Sequence, residues 1–139
     1  MQGFEYPTKP HSRRHGPTGY DAYESYREWL RDEFMFRCVY CLHRERWYGR
    51  GATFEIDHLA PVAVHPDRSL EYSNLFYACS TCNTAKRALL GVPNPCNVAF
   101  AECVIIREDG QVEALNDSGQ ALVQKLLLRA FGNNEIILG

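Results

Sequence analysis

At 139 residues the chain is the length of one domain with its own core, and 45% hydrophobic with 23% charged residues excludes both a disordered chain and a fibrous repeat. A formal net charge of −2 gives whole-chain charge no part in drawing the protein to nucleic acid, although Lys and Arg outnumber Asp and Glu in the N-terminal part. No apolar run reaches the roughly 18 residues of a membrane span, and Met1 to Pro10 lacks the apolar centre of a signal peptide, so a cytoplasmic location is expected.

Residues 1–18 hold Pro7, Pro10 and Pro17 around His11-Ser12-Arg13-Arg14-His15-Gly16, which predicts an extended arm able to reach a partner. Residues 19–37 follow as a helical unit. Tyr23, Tyr26, Leu30 and Phe34 recur at helical spacing, and Asp21 with Glu24 has the form of a capping box, so an amphipathic helix is expected over Asp21–Phe36 with its tyrosines in the core. The arginines of this arm and helix are candidates for contact with a phosphate backbone.

Residues 38–90 carry the chemistry. Cys38-Val39-Tyr40-Cys41 and Cys79-Ser80-Thr81-Cys82 are two C-x2-C knuckles with 37 residues between them. In a reducing compartment such thiols serve metal binding rather than disulfides, and four thiolates complete a tetrahedral Zn²⁺ shell with no position left for water. The expected site is structural, tying together the chain on both sides of the insert. Cys96 and Cys103 have no partner at this spacing and read as small buried residues. Between the knuckles, Ala52 to Asp57 alternates as a short strand that His58 ends, and a loop with Pro61 and Pro66 follows. Ser80 to Leu90 suits a helix stopped by Gly91-Val92-Pro93.

Residues 96–139 close the chain. Val98–Arg107 and Gln111–Leu115 flank Asp109-Gly110, which predicts a hairpin with a two-residue type I′ turn. Ser118–Phe131 is a predicted helix capped by Asn116 or Asp117 and ended by Gly132. The fold class is therefore α+β.

A structural zinc site does not itself call for Asp57-His58 at a strand end, Asn74 beyond it and Asn83 directly after the last cysteine. Cys38-x2-Cys41, Glu55-Ile56-Asp57-His58-Leu59-Ala60-Pro61, Ser73-Asn74-Leu75 and Cys79-x2-Cys82-Asn83-x2-Lys86 together resemble the four-cysteine branch of the HNH endonucleases, whose core is the ββα-metal fold. The resemblance implies hydrolysis of phosphodiester bonds in DNA with His58 as general base; imidazole as a class titrates near neutrality and suits the removal of a proton from water. It makes Asp57 a ligand of the catalytic metal and Asn74 the residue that steadies the loop and the base. In an ideal pleat Asp57 and His58 point to opposite sides, so the strand is expected to twist or end between them.

The last motif position is commonly histidine in the family; Asn83 stands there, as in the branch that includes the nuclease domain of RNA-guided CRISPR effectors. An amide carbonyl beside a carboxylate makes an oxygen donor set suited to Mg²⁺ or Mn²⁺. Lys86, one turn on, reads either as a phosphate contact or as a solvated surface lysine. The C-terminal hairpin and Leu126-Leu127-Leu128-Arg129 resemble HNH proteins encoded beside ATPases in Septu-type anti-phage systems, which implies an ATPase partner and a defence role. Taken singly, His58 reads as a satisfied structural histidine, Asp57 as a turn acceptor, and Asn74 and Asn83 as caps or turns, and the alternative function is a zinc-knuckle module that binds nucleic acid or docks on a partner without catalysis. His11, His15, His43 and His65 lie outside the motif and take no role.

Overall fold

In the computed structural model, the described residues are 6–42, 44–45, 54–86, 92–109 and 111–132, with the side chains of 84–86 and 125–132 outside the description. Tyr23–Tyr26 forms a single 3-10 turn and leads into helix α1, Arg27–Glu33. The expected helix over Asp21–Phe36 is thus shorter and begins as a tighter coil. The capping box does not form: the cap position falls on Ala22, which makes no side-chain cap. At the other end Met35 and Phe36 both adopt positive φ, 56° and 60°, and the Phe36 amide donates to the Arg31 carbonyl at 2.8 Å. Left-handed backbone costs a non-glycine residue about 1–2 kcal/mol. It turns the chain directly into the first knuckle.

Strands β1 (Phe54–His58) and β2 (Leu75–Cys79) pair antiparallel, with Glu55 opposite Ala78, Asp57 opposite Phe76 and His58 opposite Leu75. Helix α2, Ser80–Lys86, starts where β2 ends and packs back on both strands. Two strands and a helix in this order form the ββα unit of an α+β fold. All five residues of β2 are buried, because α1 and α2 both pack on this strand. The core gathers Tyr26, Leu30 and Phe34 from α1 against Phe76, with Tyr40, Phe54, Tyr77 and Phe100 around them. Tyr26 therefore meets the core expectation, while Tyr23 stays half-buried at its edge.

Strands β3 (Val104–Ile106) and β4 (Val112–Ala114) make the expected hairpin, but the strands are shorter and Phe100–Glu102 is a 3-10 turn. The Arg107 amide donates to the Gln111 carbonyl at 2.7 Å, while Gly110 of the expected type I′ turn lies outside the described residues. The Asp109 carboxylate accepts from the Gln111 amide at 3.0 Å. Helix α3, Asp117–Gly132, is capped as expected: Asn116 Oδ1 accepts from the Gly119 amide at 2.8 Å. Gly119 is required here, since a Cβ at that position would lie 2.0 Å from the Cys103 carbonyl oxygen.

The arm is docked on the domain rather than extended toward a partner. The Ala101 amide donates to Pro7 O and the His11 amide to Pro95 O. His11 Nε2 lies 2.7 Å from the buried carboxylate of Glu33, which also accepts from the Arg14 and His15 amides and the Tyr72 hydroxyl. These donors outweigh the opposing effect of burial and hold the Glu33 carboxyl below the usual range.

Candidate functional site

The two knuckles meet at one point. The sulfurs of Cys38, Cys41, Cys79 and Cys82 all lie within 4.8 Å of one another, and all four residues are buried. A Zn–S bond of about 2.3 Å implies sulfur–sulfur edges of about 3.8 Å in a tetrahedron. Cys41 Sγ and Cys79 Sγ are 3.8 Å apart, so the donor set and its spacing fit zinc. Burial and hydrogen bonds among the thiols push Cys38 up, hydrogen bonds from the other three push Cys82 up, and hydrogen bonding to Cys38 holds Cys79 down to about 7. Crowded thiols of this kind are stabilised as thiolates by a dication. Leu42, at φ 62°, closes the first knuckle by donating from its amide to Cys38 O at 2.9 Å. Neither Cys96 nor Cys103 joins the cluster. Cys103 is buried as expected, and Cys96 is half-buried.

Strand β1 carries Asp57 and His58 in one unbroken ladder. Of the two expected alternatives, a twist or an end between them, the strand does not end there: it runs through His58, and alternation puts the two side chains on opposite faces of the pleat. Asp57 is 3% exposed and accepts from the Tyr40 hydroxyl at 2.5 Å. Glu55 shares its face by alternation. Asn83, from the first turns of α2, is buried and donates from Nδ2 to Glu55 Oε1 at 2.6 Å. Because a carboxylate only accepts, this bond fixes which end of the amide is nitrogen. The carbonyl end of Asn83 is thus turned away from the Glu55 carboxylate.

His58 stands on the other face, half-buried, with its ring edge-on to Tyr23 at 4.6 Å. Its Nε2 is 3.0 Å from the Ser69 carbonyl. A carbonyl only accepts, so Nε2 is the donor in this bond. The loop that presents Ser69 is held by Asn74, which is 1% exposed. Its Oδ1 accepts from the Ala60 amide at 2.8 Å, and its Nδ2 reaches the Ala60 and Arg68 carbonyls at 3.1 and 3.3 Å. One amide thus pins both ends of the loop between β1 and β2.

Sequence reasoning missed three supports. Tyr40 lies inside a knuckle and Glu55 inside the quoted motif, yet neither spacing nor periodicity marks what their side chains touch. Arg13 is expected from the sequence as part of an extended arm whose arginines could meet a phosphate backbone. Its guanidinium sits over Phe76, Tyr72 and Phe34, at 4.5, 5.0 and 5.2 Å from the ring centroids, and donates to the carbonyls of Ser73 and Leu75 on either side of Asn74. Other arginines expected to face phosphate are committed within the chain: Arg14 to Asp32, Arg31 to Glu45 and Glu28, and Arg27 over the Tyr77 ring. Lys86 ends α2, and its side chain lies outside the described residues, as does His43. Among the described residues no helix is long and apolar enough to cross a membrane.

Comparison with curated proteins and with solved structures returns no match. Residues 38–88, which span both knuckles, β1, β2 and α2, match the family model described as HNH endonuclease, and over those residues the chain carries an HNH endonuclease domain.

Proposed function

We propose that the protein is a metal-dependent endonuclease that hydrolyses phosphodiester bonds in DNA, with His58 as general base. The observation that carries this reading is the bond from His58 Nε2 to the Ser69 carbonyl, which orients the imidazole at the end of β1, one residue after a buried carboxylate. His58 removes a proton from water as the water oxygen attacks phosphorus. The bond from phosphorus to the 3′ oxygen breaks and that oxygen takes a proton from solvent, leaving a 5′ phosphate and a 3′ hydroxyl. Asp57 and Asn83 would hold Mg²⁺ or Mn²⁺, whose charge, when bound, stabilises the phosphoryl and leaving oxygens. Asn74 acts on the loop, holding Ser69 against the base, and the Cys38, Cys41, Cys79 and Cys82 site holds zinc as structural support.

A net charge of −2 and arginines already engaged with carboxylates favour a partner that supplies much of the DNA affinity. An ATPase of a bacterial defence system, the partner implied by the Septu-type resemblance, fits that need.

The test is cleavage of supercoiled plasmid by wild-type and His58→Ala protein in Mg²⁺ and in Mn²⁺, after one zinc per chain has been verified in each. Nicking by the wild type and a loss of about 10²- to 10⁴-fold in the variant is the expected result. Equal cleavage by both removes His58 as the base. Absence of cleavage by the wild type, alone and with its co-purifying partner, removes the nuclease reading in favour of a binding module.

A further inference from the structure

Tyr40 occupies the third position of the first knuckle, between two sulfur ligands, so the zinc site fixes its backbone. Its ring is fully buried and stacks on Phe100 at 6.3 Å with an interplanar angle of 18°. Its carbonyl accepts from the Tyr6 hydroxyl at 2.6 Å. From this position the phenol reaches across 17 residues of sequence to Asp57 Oδ2. The neighbouring Val39 amide donates to the Tyr77 carbonyl at 3.0 Å, docking the same knuckle on the strand paired with β1. One knuckle therefore grips both strands, through a backbone bond to β2 and a side-chain bond to β1.

We propose that Tyr40 is a positioning residue that couples the zinc knuckle to Asp57, setting the carboxylate for the catalytic dication. The inference rests on the reading of Asp57 as a metal ligand. The chemistry of the donor supports it. An arginine or lysine at this point would also hold the carboxylate, but it would cancel the negative charge that attracts a dication. A phenol supplies a directional hydrogen bond and leaves the charge in place. Loss of zinc then reaches the oxygen donors through Tyr40, in addition to any general loosening of the fold.

Zinc-loaded wild-type, Tyr40→Phe and Asp57→Asn proteins are titrated with Mn²⁺ by calorimetry in the absence of DNA. The expected result is an Asp57-dependent Mn²⁺ site in the wild type and about 10- to 100-fold weaker binding in Tyr40→Phe, with one zinc per chain retained. Unchanged Mn²⁺ affinity in zinc-replete Tyr40→Phe overturns the coupling and leaves Asp57 as a ligand. Mn²⁺ binding that Asp57→Asn does not alter overturns both. Should Tyr40→Phe lose zinc, 3-fluorotyrosine at position 40 keeps the hydroxyl and reports directly. A fluorine resonance that moves with Mg²⁺ in the wild-type background and not with Asp57→Asn supports the coupling, and one that stays fixed in both overturns it.

Discussion

Asp57 and His58 are neighbours in β1, yet the faces they occupy are supported by different parts of the chain. Asp57 is itself buried and is held by side chains, Tyr40 from the first knuckle with the Glu55–Asn83 pair beside it, and all of these depend on the cysteine cluster or on the helix that begins inside it. His58 sits on a half-open face held by backbone carbonyls, with Ser69 directed by Asn74 and the chain around Asn74 braced by Arg13 of the arm. A ligand set benefits from a rigid, water-poor wall. A base has to admit water. The difference teaches that two adjacent residues can be tuned separately when sulfur chemistry supports one face and a single buried amide supports the other.

The largest disturbance is removal of zinc, which strikes the Asp57 face at its anchor. Structural zinc contributes about 10–16 kcal/mol of binding free energy, comparable with the whole stability of a domain. Chelation or Cys79→Ser is therefore expected to abolish cooperative thermal unfolding and Mn²⁺ binding together, as followed by calorimetry. A zinc-free protein that keeps its melting transition would break the comparison, because the Asp57 face would then stand without the sulfurs.

Asn74→Ala strikes the other face. It leaves the Ala60 amide and the Ala60 and Arg68 carbonyls without their side-chain partner, and a buried unsatisfied group costs about 1–3 kcal/mol. Zinc content and Mn²⁺ affinity should be unchanged, while the maximal cleavage rate falls by about 100-fold, the cost of roughly 1 Å of misplacement at a reacting group. Weakened Mn²⁺ binding in this variant would mean that the two faces are not separable.

A smaller effect is expected from acid. The Glu33 carboxyl is held below its ordinary value of 4.5, so its clamp on the arm is fully present above that value and is lost as pH falls through the depressed folded value. Below the usual carboxylate range the arm should release first, which hydrogen exchange at Arg14 and His15 would report, while Glu33→Gln should flatten this pH dependence.

The features that were legible in the sequence are those set by short-range rules. Paired C-x2-C spacing brings four sulfurs together because each knuckle is built locally, and the Asn116 cap of α3 follows from the helix end beside it. The capping box at Asp21 and Glu24 obeyed the same kind of rule but failed, since the tight turn at Tyr23–Tyr26 moved the cap to Ala22. The supports of the site lie beyond such rules. Tyr40 meets Asp57 across 17 residues, Asn83 meets Glu55 across 28, and His11 meets Glu33 across 22, and only the packing of the strands, helix and arm brings these pairs together. Arg13 adds what the prolines do not convey: they predict a segment without helix, and docking follows from a guanidinium that finds three aromatic rings and two carbonyls.

Glu55→Gln is the mildest change and the finest probe of the Asp57 face. Glu55 is exposed, so the loss of its charge should alter stability by less than about 1 kcal/mol. The effect lies in which way Asn83 turns. A carboxylate accepts only, and it forces the Asn83 nitrogen toward position 55; a glutamine offers both a carbonyl and an amide, so the Asn83 side chain is satisfied in either orientation and its carbonyl is no longer committed to a ligand. The metal concentration for half-maximal cleavage should rise by less than about tenfold, with the maximal rate recovered at saturating Mn²⁺ and the pH profile unmoved. A shifted pH profile would show instead that Glu55 acts on the base, and the separation of the two faces would fail at the strand itself.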